Sequence, residues 1–360
     1  MTEKRPFGIL PDGKQAYLYT IRSGALTAEI TDFGAAPVSL VISGRDPVDV
    51  VMGLDDAGAY ARDDGYFGAL IGRFATRIEQ GAFTLNGKRY QTGKNEGENN
   101  LHSGPDGYHQ RLWTFVPEES GADHLKLKLE SPDGDQGFPG NAEISITYQV
   151  TDGGSFRLLY EGICDQDTPM NLTSHTYFNL NGHDAGDVLA HRVKIPALYY
   201  TPVKDAGCIP TGEIASVQGT AFDFTEEKEI GAEIDGDCEQ LQMTGGYDHN
   251  YVITMSRSGL RTALEAYSAR TGLHMTVETD LPGFHFYTGN NLTRRPGKGG
   301  CVYDRRGGFC VETQYFPNSV NVPAFPSPIL RAGEKYRAET VFRFARRESR
   351  CCHSKPFVNK

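Results

Sequence analysis

A chain of 360 residues with 38% hydrophobic content is long enough to bury one large core or two ordinary ones. Its net charge of -10 and isoelectric point near 5.5 leave no basic surface for phosphates, which argues against nucleic acid and anionic membranes as partners. No stretch reaches the ~18 apolar residues of a membrane span, and residues 1–7 lack the apolar segment of a secretory leader, so a cytoplasmic location is expected.

Taken in chain order, β signals dominate. Strands are expected over Tyr17 to Ile21, Thr27 to Thr31, Ala82 to Leu85, Leu125 to Leu129, Glu143 to Val150, Phe156 to Ile163, Arg192 to Ile195, Tyr251 to Thr254, Leu260 to Tyr267, His274 to Thr279 and Phe284 to Tyr287. Asn86-Gly87, Asp133-Gly134, Asp152-Gly153-Gly154 and Arg270-Thr271-Gly272 sit between such runs at hairpin spacing. No long 3.6-residue periodicity competes with them. The expected architecture is all-β, a large antiparallel β-sandwich over residues 1–345, with the polar, basic residues 346–360 as a flexible tail. Seven scattered cysteines, at 164, 208, 238, 301, 310, 351 and 352, read as reduced thiols. Without a leader, the glycosylation patterns at Asn171 and Asn291 are discounted. Cys351, Cys352 and His353 are adjacent residues at a terminus, a poor metal set, and no metal is expected there.

Two stretches carry chemistry. Asn171 to Gly182 reads as one strand, which would set Thr173, His175, Tyr177 and Asn179 on one face and Leu172, Ser174, Thr176, Phe178 and Leu180 on the other. A row of hydrogen-bonding groups around an imidazole suits a polyhydroxylated ligand and a proton transfer. The second strand lies in Gly307 to Phe316 and places Glu312 with Cys310 and Gln314 opposite Phe309, Val311 and Thr313. A carboxylate in so apolar a strand is either paired or a positioned base. Further candidates are Arg73 and Arg77, whose guanidinium forks fit vicinal oxygens, His102 in a loop among amides, and Asp248 in a turn. Trp113 reads as packing, and His109, His183, His191 and His249 as ordinary surface or turn residues. No nucleotide-binding fingerprint is present, and no cofactor is expected.

Six motifs in order, Gly-Arg-x-Ala-x-Arg-Ile (72–78), Asn-x-Leu-His-x-Gly (99–104), Asn-Leu-Thr-x-His-x-Tyr-Phe-Asn-Leu (171–180), Tyr-Asp-His-Asn-Tyr (247–251), Phe-Tyr-Thr-Gly-Asn (286–290) and Glu-Thr-Gln-x-x-Pro (312–317), resemble the aldose 1-epimerase, or galactose mutarotase, family from Phe7 to about Phe344. The resemblance implies a mutarotase-like supersandwich that interconverts the anomers of free hexoses such as glucose and galactose without metal or cofactor. It implies that the residue matching Glu312 takes the C1 hydroxyl proton and the one matching His175 protonates the ring oxygen. The positions matching Arg77, His102, Tyr177 and Asp248 would hold sugar hydroxyls.

This chain departs from the family pattern at two sugar-side positions, with Thr76 where Asn is common and His285 where Gln is common. Both bear on which aldose is preferred. A silent sugar-binding module and a hexose-phosphate mutarotase are the alternatives. The retained His175 and Glu312 speak against the first, and the acidic composition against the second. A small-molecule aldose is the expected partner, and the assembly is expected to be a monomer or homodimer.

Overall fold

The computed structural model describes residues 2–253 and 259–346. It is an all-β, antiparallel sandwich with two short helices, Ala57–Arg62 and Glu239–Thr244. No helix among the described residues is long and apolar enough to cross a membrane.

A nine-stranded sheet forms one layer, in the order Thr114–Phe115, His124–Ser131, Ala142–Val150, Ser155–Cys164, Lys335–Arg346, Leu273–Thr279, Arg261–Tyr267, Arg192–Lys194 and Lys228–Glu229. Its centre is Lys335–Arg346, which the sequence reading passed over because charges crowd the segment. The period-2 pattern is nonetheless there: Tyr336, Ala338, Thr340, Phe342 and Phe344 are buried, while Lys335, Arg337 and Arg343 reach solvent. The facing layer is a six-stranded sheet, Tyr177–Phe178, Phe309–Gln314, Gly283–Tyr287, Asp248–Val252, Tyr199–Thr201 and Ala215–Ser216. Phe178 meets Phe342 with ring centroids 4.9 Å apart, and Thr313 and Thr340 share a 2.5 Å hydroxyl contact across the layers. Each buried phenyl adds about 1.5–3 kcal/mol of transfer free energy. A five-stranded sheet from Glu3–Ile9 to Val48–Asp49 closes the core from another side, with Tyr148 donating to the Ala35 carbonyl at 2.5 Å.

The expected strands within the described residues are present, with ends shifted by at most three residues. Three readings are corrected. Asn171 to Gly182 is two short pieces rather than one strand: Thr173–Ser174 pairs with Leu70–Ile71, and Tyr177–Phe178 pairs with Phe309–Gln314. Because the two pieces join different partners, the chain must step between them at His175 and Thr176. Asp248 begins a strand rather than sitting in a turn. The histidines taken for surface residues are interior in two cases: His191 accepts from the Leu180 amide at 3.0 Å, and His249 packs edge-on against Phe222 at 4.5 Å. Trp113 is core, as expected. The five described cysteines are free thiols; Cys351, Cys352 and His353 lie outside the described residues.

Candidate active site

The six-stranded sheet positions the site through its register. Asn250, His285 and Glu312 lie directly opposite one another, and so do Asp248, Tyr287, Cys310 and Tyr177 in the adjoining row. Residues opposite each other on antiparallel strands share a face. The face away from Phe309, Val311 and Phe286 is therefore polar, and it is buried as well. At Gly283 a Cβ would come within 2.9 Å of Asn250 Oδ1, so the missing side chain leaves room for that amide.

Loops supply the opposite wall. Arg77 comes from the two-residue strand Arg77–Ile78, paired with Asn100–Leu101, and His102 follows directly at φ 54°. Arg77, Thr76, His102, His175, Tyr177, Asp248, His285 and Glu312 all line one cavity of about 230 Å³. At a liquid share of roughly 30 Å³ per water, that is room for about eight waters, the scale of one monosaccharide. All eight sequence-derived candidates thus converge. Arg73 does not: it is buried behind the site, where its guanidinium donates to the Pro139, Gly140 and Ser131 carbonyls and ties their loops together.

At the centre, His175 Nε2 stands 3.7 Å from Glu312 Oε1, both side chains almost fully buried. The Cys310 thiol lies 3.5 Å from His175 Nδ1. Burial pushes that thiol's pKa far up, so it stays protonated beside the ring. Desolvation drives the two partners apart: the Glu312 carboxyl rises to about 8, with the Asp248 charge adding to the effect, while His175 falls to about 4. Between those values the pair holds a single proton, carried in the empty cavity by Glu312.

The surrounding groups are held in place by each other. His285 Nε2 and Asp248 Oδ1 are 2.6 Å apart. Burial opposes the charge on Asp248, but the Arg77 guanidinium and His285 outweigh it and keep the carboxyl well below its ordinary range. The Thr76 amide donates to His102 Nδ1 at 3.1 Å, and the His102 amide returns a bond to the Thr76 carbonyl at 3.0 Å. With Nδ1 occupied as an acceptor, a neutral His102 carries its proton on Nε2; desolvation keeps the ring neutral by pushing its pKa well down. His102, His175 and Glu312 lie close enough to ligate a metal. The tautomer of His102 opposes that use, since a ligating Nε2 would have to shed its proton and break the Thr76 bond.

Tyr66, Tyr287, Glu96 and Arg295 are among the lining residues not foreseen from sequence. Tyr66, at φ 58°, sets its ring 4.8 Å from His102 and 5.7 Å from His175. Tyr287 lies in the row of Asp248, and an alternation count along Gly283–Tyr287 would have found it beside His285. Glu96 comes from a loop and Arg295 from the two-residue strand Arg295–Pro296, neither long enough to show a periodic signal. Glu96 accepts from Arg77 Nε at 2.6 Å and from Nη2 at 2.8 Å.

Residues 17–343 match the family model described as Aldose 1-epimerase. The chain is 39% identical to galactose mutarotase from Bos taurus over 343 residues, 94% of this chain and 97% of that one. It is 35% identical to aldose 1-epimerase from Escherichia coli K12, across 93% and 97% of the two chains. Among solved structures, an aldose epimerase homologue from C. elegans superposes with a TM-score of 0.84 at 29% identity, covering 92% of this chain and 99% of that one. Galactose 1-epimerase from Lactobacillus acidophilus NCFM gives 0.83 at 25% identity, covering 96% and 99%.

Proposed function

The chain belongs to the aldose 1-epimerase family, and from that premise we propose that it interconverts the α and β anomers of free hexoses, with Glu312 as base and His175 as acid. The observation that carries these roles is the Glu312–His175 pair, 3.7 Å apart in a cavity whose other polar groups suit hydroxyls.

The chemistry follows from the proton count. Ring opening removes a proton from the C1 hydroxyl and adds one to the ring oxygen as the bond from C1 to that oxygen breaks. A pair holding one proton can do both if the carboxylate is the empty member and the imidazole the loaded one. In the empty cavity the order is reversed. Sugar hydroxyls donating to Glu312 stabilise its charged form, and the proton then moves to His175. Glu312 takes the C1 hydroxyl proton, the C1 carbonyl forms, and the imidazolium protonates the ring oxygen. Rotation about the bond from C1 to C2 presents the other carbonyl face, and the reverse transfers close the ring as the other anomer. Neutral His102 offers Nε2–H to a hydroxyl, while Asp248 and Tyr177 supply further hydroxyl partners. Thr76 and His285 face the same cavity and bear on which aldose fits.

All of these groups come from one chain, so a monomer or a homodimer serves equally, and the acidic surface with free thiols supports a cytoplasmic setting. The test is polarimetry on fresh α-D-galactose and α-D-glucose against the spontaneous drift. Wild type should accelerate the change and Glu312→Gln should not. Equal traces for wild type and blank would reject the activity, and a fast Glu312→Gln would reject the base.

A further inference from the structure

Two cations line the cavity, Arg77 and Arg295, and both are already matched by carboxylates. Arg295 donates to Asp63 at 2.9 Å and also to Asp64. Arg77 gives both edges of one fork to Glu96, at 2.6 and 2.8 Å, and its Nη2 lies 3.9 Å from Asp248 Oδ2. The Arg77 side chain is only 10% exposed, so an arginine left single there would be a strong anion receptor. Glu96 itself is a third exposed and belongs to the loop turn in which its amide and that of Asn99 exchange bonds with each other's carbonyls.

We propose that Glu96 is a specificity-determining residue: by saturating the Arg77 fork it removes the anion receptor from the cavity, and its unused lone pairs accept hydroxyl hydrogens of an uncharged sugar. A carboxylate accepts at about four lone-pair positions, of which Arg77 uses two, so Glu96 keeps capacity on its open side. A phosphorylated or carboxylated sugar meets Asp64, Glu96 and Asp248 beside two guanidinium charges that carboxylates already match. Acidity of the whole chain is a weaker barrier, because distant charges are screened at physiological salt while these are not.

This proposal rests on the cavity being the aldose site, but it can be tested apart from turnover. Inorganic phosphate and galactose 6-phosphate are titrated calorimetrically into wild type, Glu96→Gln and Glu96→Asp at low salt. Glu96→Gln should bind either anion at least tenfold more tightly than wild type, and Glu96→Asp, which restores a carboxylate, should return toward the wild-type value. In parallel, polarimetry on α-D-galactose should show phosphate inhibiting Glu96→Gln at concentrations that leave wild type unaffected. Equal anion affinity in wild type and Glu96→Gln overturns the proposal, as does tight anion binding by wild type. A wild type inactive on every aldose would instead reject the enzymatic reading, leaving the binding comparison to decide the role of Glu96.

Discussion

Strands Phe309–Gln314 and Lys335–Arg346 lie in facing layers, and both alternate apolar with polar residues, but their second faces meet different surroundings. Lys335–Arg346 turns Arg337 and Arg343 to solvent, where Arg343 pairs with Glu278 at 2.6 Å. Phe309–Gln314 is buried on both faces, with Phe309 and Val311 in the core and Cys310, Glu312 and Gln314 on the other face, where Glu312 reaches the cavity. Exposed pairs such as Arg343–Glu278 contribute little to stability. Enclosing Glu312 is costly, and the cost appears as a carboxyl that keeps its proton up to about pH 8. A polar face enclosed at that cost is the one to search for chemistry.

The largest expected effect breaks that face chemically. His175→Gln should lower turnover by ~10²–10⁴-fold, the usual worth of one acid or base, while the thermal transition persists. Arg343→Ala, on the solvent face, should leave polarimetric rates unchanged. The wild-type pH profile sharpens the same contrast. The productive pair carries one proton, so kcat/KM should fall above about pH 8, as that proton is lost, and below about pH 4, as a second is gained. A flat profile from pH 7 to 9.5 would remove Glu312 from the titrating pair.

The opposite face of the same strand gives the next effect. Phe309→Ala should cost about 3–5 kcal/mol, read by denaturant unfolding, because a fully buried ring leaves a cavity among Phe178, Phe286 and His191. Activity per folded molecule should fall far less than in His175→Gln.

The alternation that separates these faces was legible in the sequence, and the fold class with it. Glu312 and Gln314 were correctly set against Phe309 and Val311 by period 2 alone. The same counting could not say whether a polar face meets water or a second wall, because that depends on loops hundreds of residues away, such as those carrying Arg77 and His102. Those two residues entered the candidate set as weak local signals and gained weight from the order of the family motifs. Glu96 and Tyr66 were missed, since their places follow from tertiary closure rather than from spacing. The single strand expected over Asn171 to Gly182 failed for a related reason: its residues favour a strand throughout, but two different partners claim its two ends.

A smaller effect concerns the stability cost of the site. The Glu312 carboxyl has its pKa raised from 4.5 to about 8 on folding, so an unfolded chain releases the proton at lower pH than the native one. Its contribution is full below about pH 4.5 and declines as pH rises toward 8. Glu312→Gln carries no such charge, so its advantage in stability over wild type should grow across that interval, to a few kcal/mol at ~1.4 kcal/mol per pH unit, and level off above it. Thermal melts of both proteins between pH 5 and 9 measure the difference. Parallel curves would mean that the carboxylate is solvated in the native cavity.

The smallest effect lies at Thr76, where site and scaffold meet. Its backbone sits at φ 64°, a left-handed conformation that a β-branched residue adopts at a cost and that Asn tolerates. Its hydroxyl is buried with no partner among the described residues, so the side chain recovers none of that cost. The amide bond to His102 Nδ1 demands the conformation whatever residue stands there. Thr76→Asn should therefore stabilise the fold by about 1 kcal/mol, a rise of roughly 1–2 °C in Tm for a domain of this size. A longer amide at the cavity wall should also lower KM for one hexose relative to another. A gain in Tm with an unchanged ratio of KM for galactose and glucose would confine Thr76 to the backbone role of holding His102, and an unchanged Tm would show that the strained turn relaxes around threonine.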